Sequence, residues 1–475
     1  MKKNIIIAVI AAASALLLSV SCQKDDQLES QSGINGGKIF TASIEQSLTK
    51  TTLTSAYKVN WTDGDIININ GVTFKATPDG TDATNATFAK DPDSQNDPTG
   101  ETFNAIYPST LYVSGHFELP ATQTYSAGTF NAPMYAESET QSLTFKNICA
   151  VLAIKVKNDQ GISTLKSIKV KADKKLNGTF TVASTTDGYK ATIGTDGTEE
   201  VVLSSSEAIT LTSEGTTFYI AIPEQEYSYL KIYLSEDGNL YKRAMITKKA
   251  VGTVSCNKIY YMDYQTNAVQ LYADGPYWST MNIGATAETG FGLYFGWGGK
   301  TGHALTATAA AGPFTGAKIE NAFDGTYNFS TKPTINGSTQ NPTTLPASND
   351  AATVNWGAAW KMPTGGSSGQ FKDLKDNTTS AWTNDYNSTG VKGRTFTGKT
   401  GTPDYSDITL FFPAAGCGGG TDLYDAGGTG RYWSSSLYSD DTDLAYYLYF
   451  DSGYVYPQGY ADYRYIGFPV RPVSD

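Results

Sequence analysis

Apolar and polar residues alternate with a period of two through much of the first half of the chain, which predicts strands that bury one face. After the turn Thr62-Asp63-Gly64-Asp65, Ile67 and Ile69 alternate with Asn68 and Asn70, and Asn70-Gly71 opens a hairpin into Val72 and Phe74. Val151 to Val156 and Phe218 to Ile222 follow the same grammar, and Leu165, Ile168 and Val170 carry it through Lys-rich outward positions. No amphipathic helix of three turns is legible before residue 265. The pattern predicts a pair of β-sandwiches at roughly 110 residues each.

The pattern changes near residue 265. Thirty of the 47 Gly and six of the seven Trp fall in residues 266–475, so a part with different packing logic begins there. One helix is predicted, where Ser367 and Gln370 form a capping-box pattern ahead of Phe371 and Leu374 on one face. Leu444 to Phe450 is apolar or aromatic at both parities, which predicts a central strand.

Composition narrows the function classes. A chain of 475 residues has room for about three domains. Its net charge of −11 and pI near 4.8 give a phosphate backbone nothing to bind, which argues against nucleic acid as a partner. Charged residues are only 17%, while Tyr (31) and Gly (47) are abundant, a balance suited to strands and turns.

Lys2 and Lys3 precede an apolar run from Ile5 to Leu18 that is shaped like a signal peptide and is too short to span a bilayer as a stable helix. Ser19-Val20-Ser21-Cys22 resembles a bacterial lipobox, although Leu18 stands one place earlier than the usual Leu. That resemblance implies a signal peptide over 1–21, acylation of Cys22 with palmitate-type chains, and a lipid anchor in the cell outer membrane. The alternative is a buried or disulfide-bonded Cys22. Gln23-Lys24-Asp25-Asp26 is similar to the export signal of Bacteroidetes-type lipoproteins, which implies surface exposure; residues 22–37 read as a polar, flexible tether.

Four blocks resemble the fimbrillin (Mfa-like) family: Val59-Asn60-Trp61-Thr62-Asp63-Gly64-Asp65-Ile66, Ala105-Ile106-Tyr107-Pro108, Leu119-Pro120 with Gln123 and Tyr125, and Phe145-Lys146-Asn147-Ile148-Cys149-Ala150-Val151-Leu152. The resemblance implies two transthyretin-like β-sandwiches, over 38–143 and 144–265, and a pilus subunit or related surface lipoprotein. Trp61 and Phe145 read as core anchors. Six blocks in the last part resemble the Fibrobacter succinogenes major paralogous domain: Tyr277 to Ala285, Tyr294 to Gly298, Trp356 to Thr364, Phe412 to Gly416, Tyr432 to Ser436 and Gly467 to Val473. This implies an α+β, C-type-lectin-like fold with much irregular loop over 266–475. The expected fold class is mainly β.

Catalytic hardware is sparse. The only two histidines, His116 and His303, lie in unrelated segments, so a nucleophile relay would rest on a single isolated imidazole. Cys149 and Cys256 read as small buried hydrophobes. Cys417 sits in the loop Gly416-Cys417-Gly418-Gly419-Gly420, which lacks the Lys and Ser/Thr of a phosphate loop. Asp440, Asp441 and Asp443 read either as a solvated acidic loop or as oxygen ligands for Ca²⁺. No metal-ligand spacing and no cofactor motif is present, and no enzymatic activity is expected.

Aromatic residues on loops carry more interest. Tyr454, Tyr456, Tyr460, Tyr463 and Tyr465 crowd a turn-rich segment, with Tyr438 and Trp382 on other loops. Two readings stand, core packing and ligand contact through amphipathic rings. The candidate ligand-binding residues are Tyr438, Asp440, Asp441, Tyr454, Tyr456 and Tyr460; they would approach one another only if the chain after Phe450 returns along the sheet. Lys50, behind the strand-like Ile39 to Ile44, reads either as a solvated turn residue or, by resemblance to pilins, as a processing site whose cleavage opens a groove for another subunit's strand. Val470-Arg471-Pro472-Val473 belongs to the last domain's own motif and leaves Ser474 and Asp475, too few to donate a strand, which places the protein at a pilus tip if it joins a pilus. The expected function is adhesion or glycan binding by a fimbrillin-like surface lipoprotein, with pilus subunits and host or bacterial surface ligands as partners. The alternatives are a non-assembling glycan-binding lipoprotein of a nutrient-capture system and a carboxylate-dependent hydrolase.

Overall fold

The computed structural model describes residues 38–45, 60–80, 83–94, 96–127, 130, 132–159, 161–186, 188–305, 329–338, 341–457 and 460–475. The chain is mainly β, as its alternation predicts. Seven strands close on one another in the order Ile39–Ile44, Ser142–Asn147, Met134–Ser138, Phe103–Tyr107, Ile66–Ile69, Val72–Pro78 and Asn85–Lys90. The hairpin at Asn70-Gly71 forms, with φ of 47° and 88° at the two positions that a tight primed turn requires to be positive. Trp61 fills the interior, its ring 5.0 Å from Phe88 and 5.3 Å from Phe145, both edge-on and fully buried. Ile39–Ile44 lies between Ser142–Asn147, which runs parallel to it, and Asn85–Lys90, which runs antiparallel, and it buries Phe40, Ala42 and Ile44.

In the following unit, Ala150–Val156 pairs antiparallel with Thr216–Ile222 and parallel with Ile259–Asp263. Its inward Leu152 and Ile154 pack with Ile168 and Val170 of Thr164–Ala172 and with Ile232 of Leu230–Ser235. At Thr164–Ala172 the alternation read from sequence is the observed burial, because one face meets this core while Lys169 and Lys171 point away from it. Two earlier segments also join this unit: His116–Leu119 pairs with Gly178–Thr185, and Thr122–Thr124 with Glu200–Thr210.

The sheet containing Thr164–Ala172 does not stop near residue 265. It runs through Leu230–Ser235, Arg243–Ile246, Ala268–Val269, Tyr277–Ser279 and Val473–Ser474 without interruption. One apolar cluster correspondingly joins Tyr233, Ala244 and Ile246 to Trp297, Trp360, Trp433 and Phe468. The last part of the chain thus completes both a sheet and a core begun before it.

The expected helix is Gln370–Asn377, with Phe371 and Leu374 wholly buried. Its cap differs from the sequence reading. Ser367 makes no capping bond; Thr364 Oγ1 accepts from Gln370 N and Gln370 Oε1 accepts from Thr364 N, both at 3.0 Å, so the reciprocal pair spans six residues. A second helix, Ala351–Trp356, is capped by buried Asp350, whose Oδ1 accepts from Ala352 N and Thr353 N at 2.9 Å.

Candidate functional site

Leu444–Phe450 is the central strand of its sheet. Gly430–Leu437 pairs along one edge, while Val455–Tyr456 and Ala461–Tyr463 both pair along the other. The chain after Phe450 does return along the sheet. Strict alternation then sorts the aromatic residues. Tyr446, Leu448 and Phe450 point to one face and Ala445, Tyr447 and Tyr449 to the other; cross-strand pairing adds Arg431, Trp433, Tyr456 and Asp462 to the second face.

That second face is half core and half rim. Trp433 is wholly buried with Nε1 donating to Phe295 O at 2.8 Å, and Tyr447 packs 4.9 Å from Phe468. Toward the rim, Tyr449 stacks on Tyr460 at 5.2 Å and 27°, Tyr456 meets Tyr460 edge-on at 5.1 Å, and Tyr454 lies 5.7 Å from Tyr456. Tyr454 is 63% exposed, Tyr456 37% and Tyr460 40%, so these rings touch one another while offering area to solvent. The candidates Tyr454, Tyr456 and Tyr460 are brought together.

Tyr438 is not among them. Its ring lies 5.1 Å from Tyr446, on the opposite face, and its hydroxyl reaches Asp440 Oδ2 at 3.3 Å. Gly365 makes room for Tyr446 there, since a Cβ at that position would stand 2.7 Å from the Tyr446 Cβ. Asp440 accepts from Ser439 Oγ, Asp441 Oδ1 accepts from Asp443 N at 2.9 Å, and Asp443 pairs with Lys332 at 2.6 Å, so the acidic loop is closed on its own neighbours. Among the described residues no group of three or more His, Cys, Asp and Glu is placed to hold a metal ion.

Several residues at the rim escape a reading by motif. Arg431 spans from Asp425, at 2.9 Å, to the Cys417 Sγ, at 3.3 Å, with its guanidinium 5.9 Å from the Tyr449 ring. Burial pushes the Cys417 thiol up to about 11, which favours its protonated form at neutral pH. Burial also raises the Asp462 carboxyl, which accepts from Tyr463 N at 2.8 Å. Buried Arg394 donates to Asp451 O at 2.6 Å and Tyr454 O at 3.0 Å, and Asp451 Oδ1 accepts from Gly453 N and Tyr454 N, which fixes the turn presenting Tyr454. A regular hairpin across Asp440 to Asp443 would not have placed Arg431, because the register shifts between Trp433 and Leu437, and only the observed pairing sets Arg431 beside Tyr449.

The remaining candidates lie elsewhere. Cys22 and Lys50 fall outside the described residues. His116 is exposed on His116–Leu119, and His303 lies edge-on to Phe329 in the last part of the chain, so the two imidazoles stand in different units. Trp382 is in the strand Thr378–Thr383 rather than on a loop, packed against a cluster that holds Trp278 and Phe371.

Comparison with known proteins gives partial matches. The family described as Domain of unknown function (DUF8237) matches residues 401–473. No curated protein matches the chain. Among solved structures, the chain is similar to a protein provisionally assigned to cell adhesion from Bacteroides uniformis, with 15% identity, 48% of this chain and 93% of that one covered, and a TM-score of 0.29. It is also similar to a fimbrial protein from Bacteroides ovatus, with 12% identity, 92% and 98% covered and a TM-score of 0.20, and to the tip fimbrial protein Mfa3 from Porphyromonas gingivalis, with 9% identity, 48% and 95% covered and a TM-score of 0.19.

Proposed function

We propose that the chain is a fimbrillin-like adhesion protein of the cell surface, anchored through Cys22, whose residues 266–475 bind glycan while the preceding units serve as a stalk. The observation that carries this reading is the cluster of exposed tyrosines on a sheet whose opposite end is built into the core. Monomeric proteins keep such apolar patches where they bind something. Tyrosines suit sugar, because each ring offers a flat apolar face and a hydroxyl tip. Strands and Arg394 hold the cluster in place, so little ordering entropy opposes binding.

Two further elements extend the reading toward assembly. Cleavage after Lys50 would free Ile39–Ile44 and open a groove between Ser142–Asn147 and Asn85–Lys90, which another strand would fill by β-augmentation. Val473–Ser474 is paired with Tyr277–Ser279 and bridged by Lys361 on its other side, so these residues are committed to their own fold and are not themselves a strand for a neighbour; the place proposed for the protein is a pilus tip.

The test is a glycan array probed with the whole chain, together with fractionation of cells carrying Cys22→Ser. Expected are retention of specific glycans and release of the variant from the membrane with loss of acylation by mass spectrometry. Failure to retain any glycan overturns the binding role; an unchanged membrane-bound fraction overturns the anchor. Immunogold labelling along a shaft would contradict the tip.

A further inference from the structure

Five residues of the rim lie on one face in register. Arg431, Tyr449 and Tyr456 form one cross-strand row; Tyr460, whose carbonyl accepts from Tyr447 N, and Asp462 continue the edge beside it. Resting on the glycan reading above, we infer that this shelf is the sugar-contacting surface and that it takes a neutral pyranose, rejecting sugars that carry a carboxylate.

Four observations carry this. The stacked pair Tyr449–Tyr460, tilted by only 27°, offers nearly coplanar apolar area, and Tyr456 stands edge-on beside it as a step, a shape that receives the C–H face of a pyranose ring. Beside the rings stand a guanidinium donor, Arg431, and a carboxylate acceptor, Asp462, the pair of partners that neighbouring sugar hydroxyls need. Charge then decides the class of sugar. Two guanidiniums, Arg431 and Arg394, are set against three carboxylates, Asp425, Asp451 and Asp462; Arg431 is already paired with Asp425 and Arg394 lies beside Asp451, so one negative charge is in excess and the shelf repels an added carboxylate. The exposed large residues here are tyrosines with no aliphatic partner among them, which favours sugar over the apolar centre of a protein interface.

The experiment uses the whole chain and immobilised galactose-, glucose- and mannose-terminated oligosaccharides, their sialylated or uronate-capped counterparts, and glucosamine oligomers. Expected are binding of at least one neutral member, at least about tenfold weaker binding of its acidic counterpart, and about tenfold loss for Tyr460→Ala and for Asp462→Asn with unchanged unfolding midpoints. Asp462→Asn keeps size and shape, so it and Tyr456→Ala decide the matter should Tyr460→Ala not fold. A glycan bound equally by wild type and these variants overturns the shelf while leaving glycan binding intact. Acidic sugars bound as tightly as neutral ones, or glucosamine oligomers bound more weakly than neutral ones, overturn the charge argument. Retention of no sugar of any class overturns the glycan reading itself, and this inference with it.

Discussion

Lys231 stands where the second unit meets the end of the chain, and its replacement by Met has a calculable pH signature. It is 5% exposed, its Nζ donates to a main-chain oxygen of Asp475 at 2.5 Å, and the Tyr229 ring lies 5.3 Å away. Burial lowers its pKa from 10.5 to about 8, with Asp475 opposing the fall and Lys171 and Lys361 adding to it. Between pH 8 and 10.5 the unfolded chain therefore binds a proton that the folded chain does not, and the stability contributed at this position rises with pH across that window. Below pH 8 both states are charged and the folded one bears the full cost of burying the charge. The difference of 10.5 − 8 corresponds to about 3 kcal/mol at roughly 1.4 kcal/mol per pH unit. Lys231→Met removes this cost and also loses the bond to Asp475, an offset that does not vary with pH in the same way. The stability of the Met variant relative to wild type should accordingly fall by about 3 kcal/mol from pH 7 to pH 10.5. Buried tyrosines such as Tyr277 and Tyr294, whose hydroxyls burial pushes up, impose the opposite slope on both proteins and cancel in the difference. Urea unfolding followed by Trp fluorescence measures it, since six of the seven Trp lie in residues 266–475. A difference that stays flat with pH would refute the reasoning.

Thr364→Val removes one half of the reciprocal cap on Gln370–Asn377 and should cost about 1 kcal/mol, read as a lowered urea midpoint, whereas Ser367→Ala should leave it unchanged. Arg394→Met should speed amide exchange at Gly453 and Tyr454 and weaken sugar binding without displacing the strand Leu444–Phe450, which hydrogen–deuterium exchange and the array together resolve. Residues 266–475 expressed alone lose the neighbours Arg243–Ile246 and the apolar surface of Tyr233, Ala244 and Ile246, so they should lack a cooperative unfolding transition that residues 38–475 retain.

Legibility in the sequence tracked how local each signal was. Thr164–Ala172 was readable because burial on one face writes a period of two, and the Asn70-Gly71 hairpin because its turn demands positive φ at adjacent residues. The shared sheet was not readable. Its joint passes through Arg243–Ile246 and Ala268–Val269, strands of four and two residues, too short to show any period, and it closes on Val473–Ser474, a strand remote in sequence from its partner Tyr277–Ser279. The cap failed for a related reason, since Thr364 reaches Gln370 across six residues where the familiar box spans three.

At the site, composition announced the tyrosines but could not group them. Parity does so once the central strand is known: Tyr447 and Tyr449 share a face and Tyr446 takes the other, so Tyr438, which packs on Tyr446, leaves the group, while Arg431 and Asp462 enter it through their partners. The register needed for that step depends on the return of the chain past Tyr456, a long-range pairing that no local pattern encodes. The charged residues that tune the shelf were hidden by the same fact. Arg431 and Asp462 are 31 positions apart in sequence and are neighbours only because Leu444–Phe450 runs between their strands. A site assembled across one central strand thus keeps its apolar part legible as local composition, while its polarity, and with it the class of ligand admitted, emerges only from the pairing.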